Sequence, residues 1–75
     1  MELKDFIENF AQQFDDTDAS KFTADAKFKE FEEWSSLIAL SIIAMVDDEY
    51  GKSIKGDVIR NSTTIKDLFD QINTL

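Results

Sequence analysis

The sequence predicts an all-α domain, a small four-helix bundle with three main helices and a short one third in chain order. Three observations carry this. Apolar residues recur at helical steps near both ends of the 75-residue chain, a thirteen-residue stretch without formal charge lies between them, and no segment alternates as a strand would. The length allows one domain, residues 1–75, with no internal repeat, no Pro and no low-complexity tract to divide it. A domain this small buries only roughly 60% of the surface its unfolded chain exposes, which favours local, helical architecture.

The first helix is read from Leu3, Phe6, Ile7, Phe10 and Phe14, spaced by three and four, with Glu2, Lys4, Asp5, Glu8, Gln12 and Gln13 on the other side. Asp15-Asp16-Thr17-Asp18 ends it, because short polar side chains that bond the local backbone favour caps and turns. A long connection follows over 19–33, and Phe22, Phe28 and Phe31 are expected to pin it to the core.

The uncharged stretch runs from Trp34 to Val46, between Glu30, Glu32 and Glu33 on one side and Asp47, Asp48 and Glu49 on the other. It is shorter than the ~20 apolar residues of a membrane-spanning helix. Ser35 and Ser36 can cap it, and Tyr50-Gly51 can stop it. At about 100° per residue, Ala39, Ile42, Ile43, Val46 and Tyr50 share one side. Leu37, Leu40, Ser41, Ala44 and Asp48 share the other, with Asp47 at its margin. Two arrangements satisfy this pattern. In one, the first side packs inward and apolar Leu37 and Leu40 stand beside carboxylates as a docking surface. In the other, the bundle buries the helix nearly all round.

Gly51 and Gly56 bracket a short connection, and residues 57–61 suffice for a turn or two of helix. The last helix is predicted from Thr64 and Asp67, which resemble a capping box, ahead of a stripe of Ile65, Leu68, Phe69, Ile72 and Leu75.

Sixteen Asp and Glu against eight Lys and Arg give a net charge of −8, which disfavours nucleic acid and anionic membranes and favours partners with basic surfaces. There is no Cys and no His, so disulfides, thiolate metal sites and the usual general base near neutral pH are absent. No catalytic residues and no metal site are therefore assigned, and the chain is read as no enzyme. The Asp16, Asp18, Ser20 spacing opens like a calcium loop, but Lys21 and Lys27 stand where that loop needs Gly and Glu. The pairs Glu32-Glu33 and Asp47-Asp48 are read as surface charge. The N-terminal stretch from Met1 to Phe6 is acidic and amphipathic, unlike a signal peptide, which makes a cytoplasmic monomer the expectation.

Ser36 opens the segment that carries the most information. The run from Ser36-Leu37-Ile38-Ala39-Leu40-Ser41 through Asp47-Asp48-Glu49-Tyr50 resembles the part of acyl carrier proteins that begins Asp-Ser-Leu and continues through an apolar helix to an acidic triplet and an aromatic. Phe28 upstream is similar to the Phe that precedes this motif. Ile54, Val58-Ile59 and Ser62-Thr63-Thr64-Ile65 downstream extend the likeness over nearly the whole chain. The resemblance implies a four-helix bundle of the acyl-carrier type in which Ser36 carries a covalent 4'-phosphopantetheine arm derived from coenzyme A. It also implies a phosphopantetheinyl transferase as a partner, with acyl-transfer and condensing enzymes docking on the second helix. The partner-docking residues it assigns are Leu37, Ile38, Leu40, Ser41, Ala44, Asp47 and Asp48. The implied function is to hold acyl intermediates as thioesters in fatty acid, polyketide or related lipid biosynthesis. An aminoacyl or peptidyl carrier and an acidic helical adaptor with no covalent group are the competing readings.

This sequence departs from the pattern at Ser35, where the family has Asp, at Ile38 and Ser41, where it often has acids, and at Trp34, where a small residue is usual. Docking is accordingly expected to rely more on apolar contact and less on charge. Ser35 is disfavoured as the modified residue because Leu follows the modified Ser in the family, and Leu37 follows Ser36. The charge excess also has a thermodynamic consequence. At low ionic strength, added salt or a divalent cation should raise the melting temperature by screening repulsion among carboxylates, and an unchanged value in a salt series would show the charges too dispersed to matter.

Overall fold

The computed structural model describes residues 2–75; Met1 of the N-terminal stretch lies outside them. The described residues form four α-helices and no strand: α1 Leu3–Ala11, α2 Ser36–Tyr50, α3 Gly56–Arg60 and α4 Ile65–Asn73. Two 3₁₀ turns, Ala19–Lys21 and Phe28–Glu30, interrupt the connection between α1 and α2. Helix α1 packs on α2 and α4, and the short α3 bridges α2 and α4. No helix among the described residues is long and apolar enough to cross a membrane.

The core forms where the amphipathic stripes meet. Phe6 and Phe10 of α1, Ile42 and Val46 of α2, and Ile65, Leu68 and Ile72 of α4 are fully buried. Phe14 was expected within the first helix, but α1 ends at Ala11. Two tight backbone bonds, Gln13 N to Phe10 O and Phe14 N to Ala11 O, carry the chain round a further turn and leave Phe14 buried. Leu75 also departs from its expected stripe. Helix α4 ends at Asn73, and Leu75 lies beyond it, 61% exposed. The i→i+3 bond from Leu75 N to Ile72 O tightens that end and takes its side chain off the helical face.

The long connection is fixed from three directions. Phe28 sits edge-on against Phe10 with centroids 5.2 Å apart, and Trp34 sits edge-on against Phe28 at 5.0 Å. Phe22 meets Phe14 at 5.1 Å and Phe31 at 5.4 Å. Each such pair adds about 0.5–1.5 kcal/mol beyond the area it buries. The backbone amides of Ile65 and Lys66 in the first turn of α4 donate to Ala26 O and Ala24 O, so the connection supplies acceptors that a helix N-terminus otherwise lacks. The third tie is Glu33. Its carboxylate accepts from Asp15 N at 2.6 Å, Asp16 N at 3.0 Å and Thr17 Oγ1 at 2.8 Å. Glu33 was expected to be plain surface charge; instead it clasps the chain leaving α1.

The helix ends follow the side-chain chemistry. Ser35 caps α2 with its hydroxyl accepting from Ile38 N, and Gly51 closes α2 in the left-handed region at φ 63°. A Cβ at Gly51 would meet nothing, so the backbone angle alone calls for glycine there. Thr64 and Asp67 form both bonds of a capping box at α4. The buried Ser62 hydroxyl donates to Val58 O and accepts from Gln71 Nε2, which ties α3 to α4, and among the described residues no buried side-chain nitrogen or oxygen lacks a partner.

The hydrogen bond from Asp15 N, followed by those from Asp16 N and Thr17, holds the Glu33 carboxyl below its ordinary value of 4.5. A depressed carboxyl contributes stability that is complete above the unfolded value and is lost as pH falls through the lower folded one. Wild type should therefore melt above Glu33→Gln at neutral pH, with the gap closing below about pH 4.5; a gap that persists unchanged into acid would show that the clasp is not ionic.

Candidate functional site

The site is built from the end of the connection, the first turns of α2 and the short α3. Trp34, half-buried against Phe28, fixes where the connection stops. Ser35 is extended at φ −158° and ψ 170° and takes the capping bond from Ile38 N at 3.2 Å. The two serines thus divide their duties. Ser36 is the first residue of α2, is exposed, and takes no part in that cap. Its hydroxyl stands at a helix N-terminus, where first-turn amides lack intrahelical acceptors and the helix dipole favours negative charge.

Helix α2 resolves the two arrangements left open by its periodicity. Ile42, Met45 and Val46 are buried, and Ala39, Ile43 and Tyr50 are half-buried against the core. Leu37 is 72% and Leu40 61% exposed, and Ala44, Asp47 and Asp48 are exposed with them, so the helix is not buried all round. Met45 was not assigned to the inner side, yet it lies next to Val46 at the edge of the cleft toward α1. Two residues grouped with the exposed face sit differently. Ile38 is half-buried and packs on the core, and half-buried Ser41 donates its hydroxyl to Leu37 O at 3.1 Å and lines the α1–α2 cleft. Leu37, Leu40, Ala44, Asp47 and Asp48 remain as one accessible, partly apolar and partly acidic surface.

Beside Ser36 runs a groove of about 460 Å³ between α2 and α3. Trp34, Ala39, Leu40, Ile43 and Ile59 give it an apolar wall, and Ser35, Ser36 and the cations Lys29 and Arg60 share its lining. Lys29 Nζ donates to Arg60 O at 2.8 Å, joining the connection to the end of α3. Sequence reasoning missed Lys29, Gly56, Ile59 and Arg60 here, because no local pattern relates residues about thirty apart.

Three features meet at Ser36. The hydroxyl is accessible, the helix end favours an anion, and a groove with an apolar wall opens alongside. The calcium-like spacing upstream takes another role, since the Asp18 carboxylate accepts from the backbone N–H and hydroxyl of Ser20 and caps a 3₁₀ turn. Among the described residues no group of three acidic, His or Cys side chains is placed to hold a metal ion.

The division between the serines is open to measurement. Ser35→Ala should lower stability to denaturant by about 0.5–2 kcal/mol through loss of the cap. Ser36→Ala should stay within about 0.5 kcal/mol of wild type, as for a surface substitution; equal losses would show that both hydroxyls serve the helix end. Comparison of the chain with protein-family models, with curated proteins and with solved structures finds no match.

Proposed function

We propose that the protein is a carrier of the acyl-carrier type, with Ser36 as the attachment point of a 4'-phosphopantetheine arm. The observation that carries this reading is an exposed Ser36 hydroxyl at the first position of α2, released from capping by Ser35, with a groove of apolar wall beside it. The four-helix arrangement is compatible with that type, and so are the motif residues from Ser36 to Tyr50.

The chain's own residues have three tasks in this reading. Ser35 and Trp34 hold the start of α2 so that Ser36 is presented outward. The free first-turn amides and the helix dipole stabilise negative charge on the Ser36 oxygen substituent. Leu37 and Leu40, with Asp47 and Asp48 further along α2, offer a transferase or an acyl-transfer enzyme an apolar contact with an acidic margin. The arm, when bound, supplies the thiol this Cys-free chain lacks and holds an acyl group on it as a thioester. The protein performs no bond-making of its own in this scheme. Lipid or polyketide assembly in the cytoplasm is the setting the resemblance suggests.

Incubation with coenzyme A and a broad-specificity phosphopantetheinyl transferase should add the mass of one arm to the intact protein. Ser36→Ala should abolish the gain and Ser35→Ala should keep it. Leu37→Ala and Asp48→Lys should each slow loading while circular dichroism stays unchanged, since both side chains are exposed. No mass gain, or a gain that survives Ser36→Ala, defeats the assignment and leaves the exposed face of α2 to the adaptor reading.

A further inference from the structure

We infer that the α2–α3 groove is an anion site, in which Lys29 and Arg60 hold a negatively charged group delivered on the arm at Ser36; this rests on the reading of Ser36 given above. The starting point is where charge falls. The chain has twice as many acidic as basic residues, yet the groove is lined by two cations and by no carboxylate. The cleft between α1 and α2 is lined by Asp48 and Glu49 and by no cation, and the one beside Glu33 by Asp16, Asp18 and Glu32 against a single cation, Lys21. Against that background the groove beside Ser36 is electrostatically the odd one.

Neither cation is neutralised by an acid among the described residues. Among the described residues the ion pair formed is Lys66 with Asp70, and neither Lys29 nor Arg60 is in one. Lys29 uses one N–H on Arg60 O, which leaves two of its three donors for another acceptor. Arg60 folds back over the first turn of its own helix, where a Cβ added at Gly56 would come within 3.2 Å of a guanidinium nitrogen. Gly56 and Arg60 both line the groove, and the absence of a side chain at 56 leaves the guanidinium that close approach. Both side chains are exposed, so the apolar wall beside them offers contact to the body of an occupant while the charges meet its polar end at the water boundary. The occupant that matches has an apolar body and an oxyanion. Two parts of a loaded carrier supply that chemistry, the phosphodiester at Ser36 and a carboxylate at the far end of an acyl group.

The test uses the intact protein loaded from coenzyme A, butyryl-coenzyme A or succinyl-coenzyme A, with loading verified by mass. Melting temperature and the emission of Trp34, the single tryptophan and a wall of the groove, are then read for each form. Loading should raise the melting temperature by a few degrees and shift Trp34 emission. Both effects should vanish in Lys29→Gln/Arg60→Gln and survive in Lys29→Arg/Arg60→Lys. Circular dichroism checks that the fold is kept; if the double variant unfolds, Arg60→Gln alone is read. Effects present with the bare arm identify the phosphodiester as the anion, and effects confined to the succinyl form identify the carboxylate. A shift that survives in the glutamine variant, one produced by butyryl alone, or none in any loaded form overturns the inference. If no arm can be attached, the Ser36 reading fails separately, and the groove is judged by titrating unmodified protein with inorganic phosphate. A saturable Trp34 change, weakened about tenfold by the glutamine variant, sustains the anion site, and no change refutes it.

Discussion

The contact of Phe28 with Phe10 on one side and Trp34 on the other holds this structure in register. More than twenty residues separate α1 from α2, and only two short 3₁₀ turns give them regular structure. Ordering such a segment costs roughly 1–2 kcal/mol of backbone entropy per residue, so it stays in place only if large side chains leave water when it does. Phe22, Phe28, Phe31 and Trp34 supply that area against Phe10 and Phe14. Because Trp34 directly precedes the serine pair, the packing that stabilises the connection also decides where α2 begins.

The position of α2 then follows from two polar details. Ser35 is extended and caps, which frees Ser36 to face solvent at the first helical position. Gly51 closes the other end, and Asn9 Nδ2 donates to the Tyr50 hydroxyl at 2.9 Å, tying the last turn of α2 back to α1. Between these anchors the rotation of the helix is set by Ile42, Met45 and Val46 turning inward, which obliges Leu37 and Leu40 to turn outward. Leaving two leucines largely in water has a cost of up to about 1.5–3 kcal/mol each relative to burying them.

Electrostatics divides the surface in the same economical way. The excess of carboxylates is not idle. Glu33 clasps three donors of the chain leaving α1, Asp67 completes a capping box, and Asp18 caps a 3₁₀ turn. The carboxylates without such duties at Asp47 and Asp48 lie about two turns along α2 from the exposed Leu40. The α2–α3 groove is free of acid, with Lys29 and Arg60 in its lining, so the charge along it is opposite in sign to the protein's net charge.

Periodicity and cap chemistry are local, and they were legible: the stripes of α1 and α4, the Thr64–Asp67 box, the Gly51 stop and the serine pair at the head of α2 all follow from residues within four positions of each other. The motif from Ser36 to Tyr50 is likewise a linear feature, which is why a candidate site could be proposed from the chain alone. What lay beyond the sequence needs contact between distant segments. The end of α1 at Ala11 depends on a turn that returns Phe14 to the core, and the release of Leu75 on how the last turn tightens. The choice between an exposed and a fully buried α2, which the wheel could not make, depends on how many neighbours surround the helix. The clasp by Glu33 spans 16 to 18 residues, and the Lys29–Arg60 tie spans 31. Side-chain spacing dictates which face a helix can bury, but only packing in three dimensions decides which face has a neighbour to bury it against.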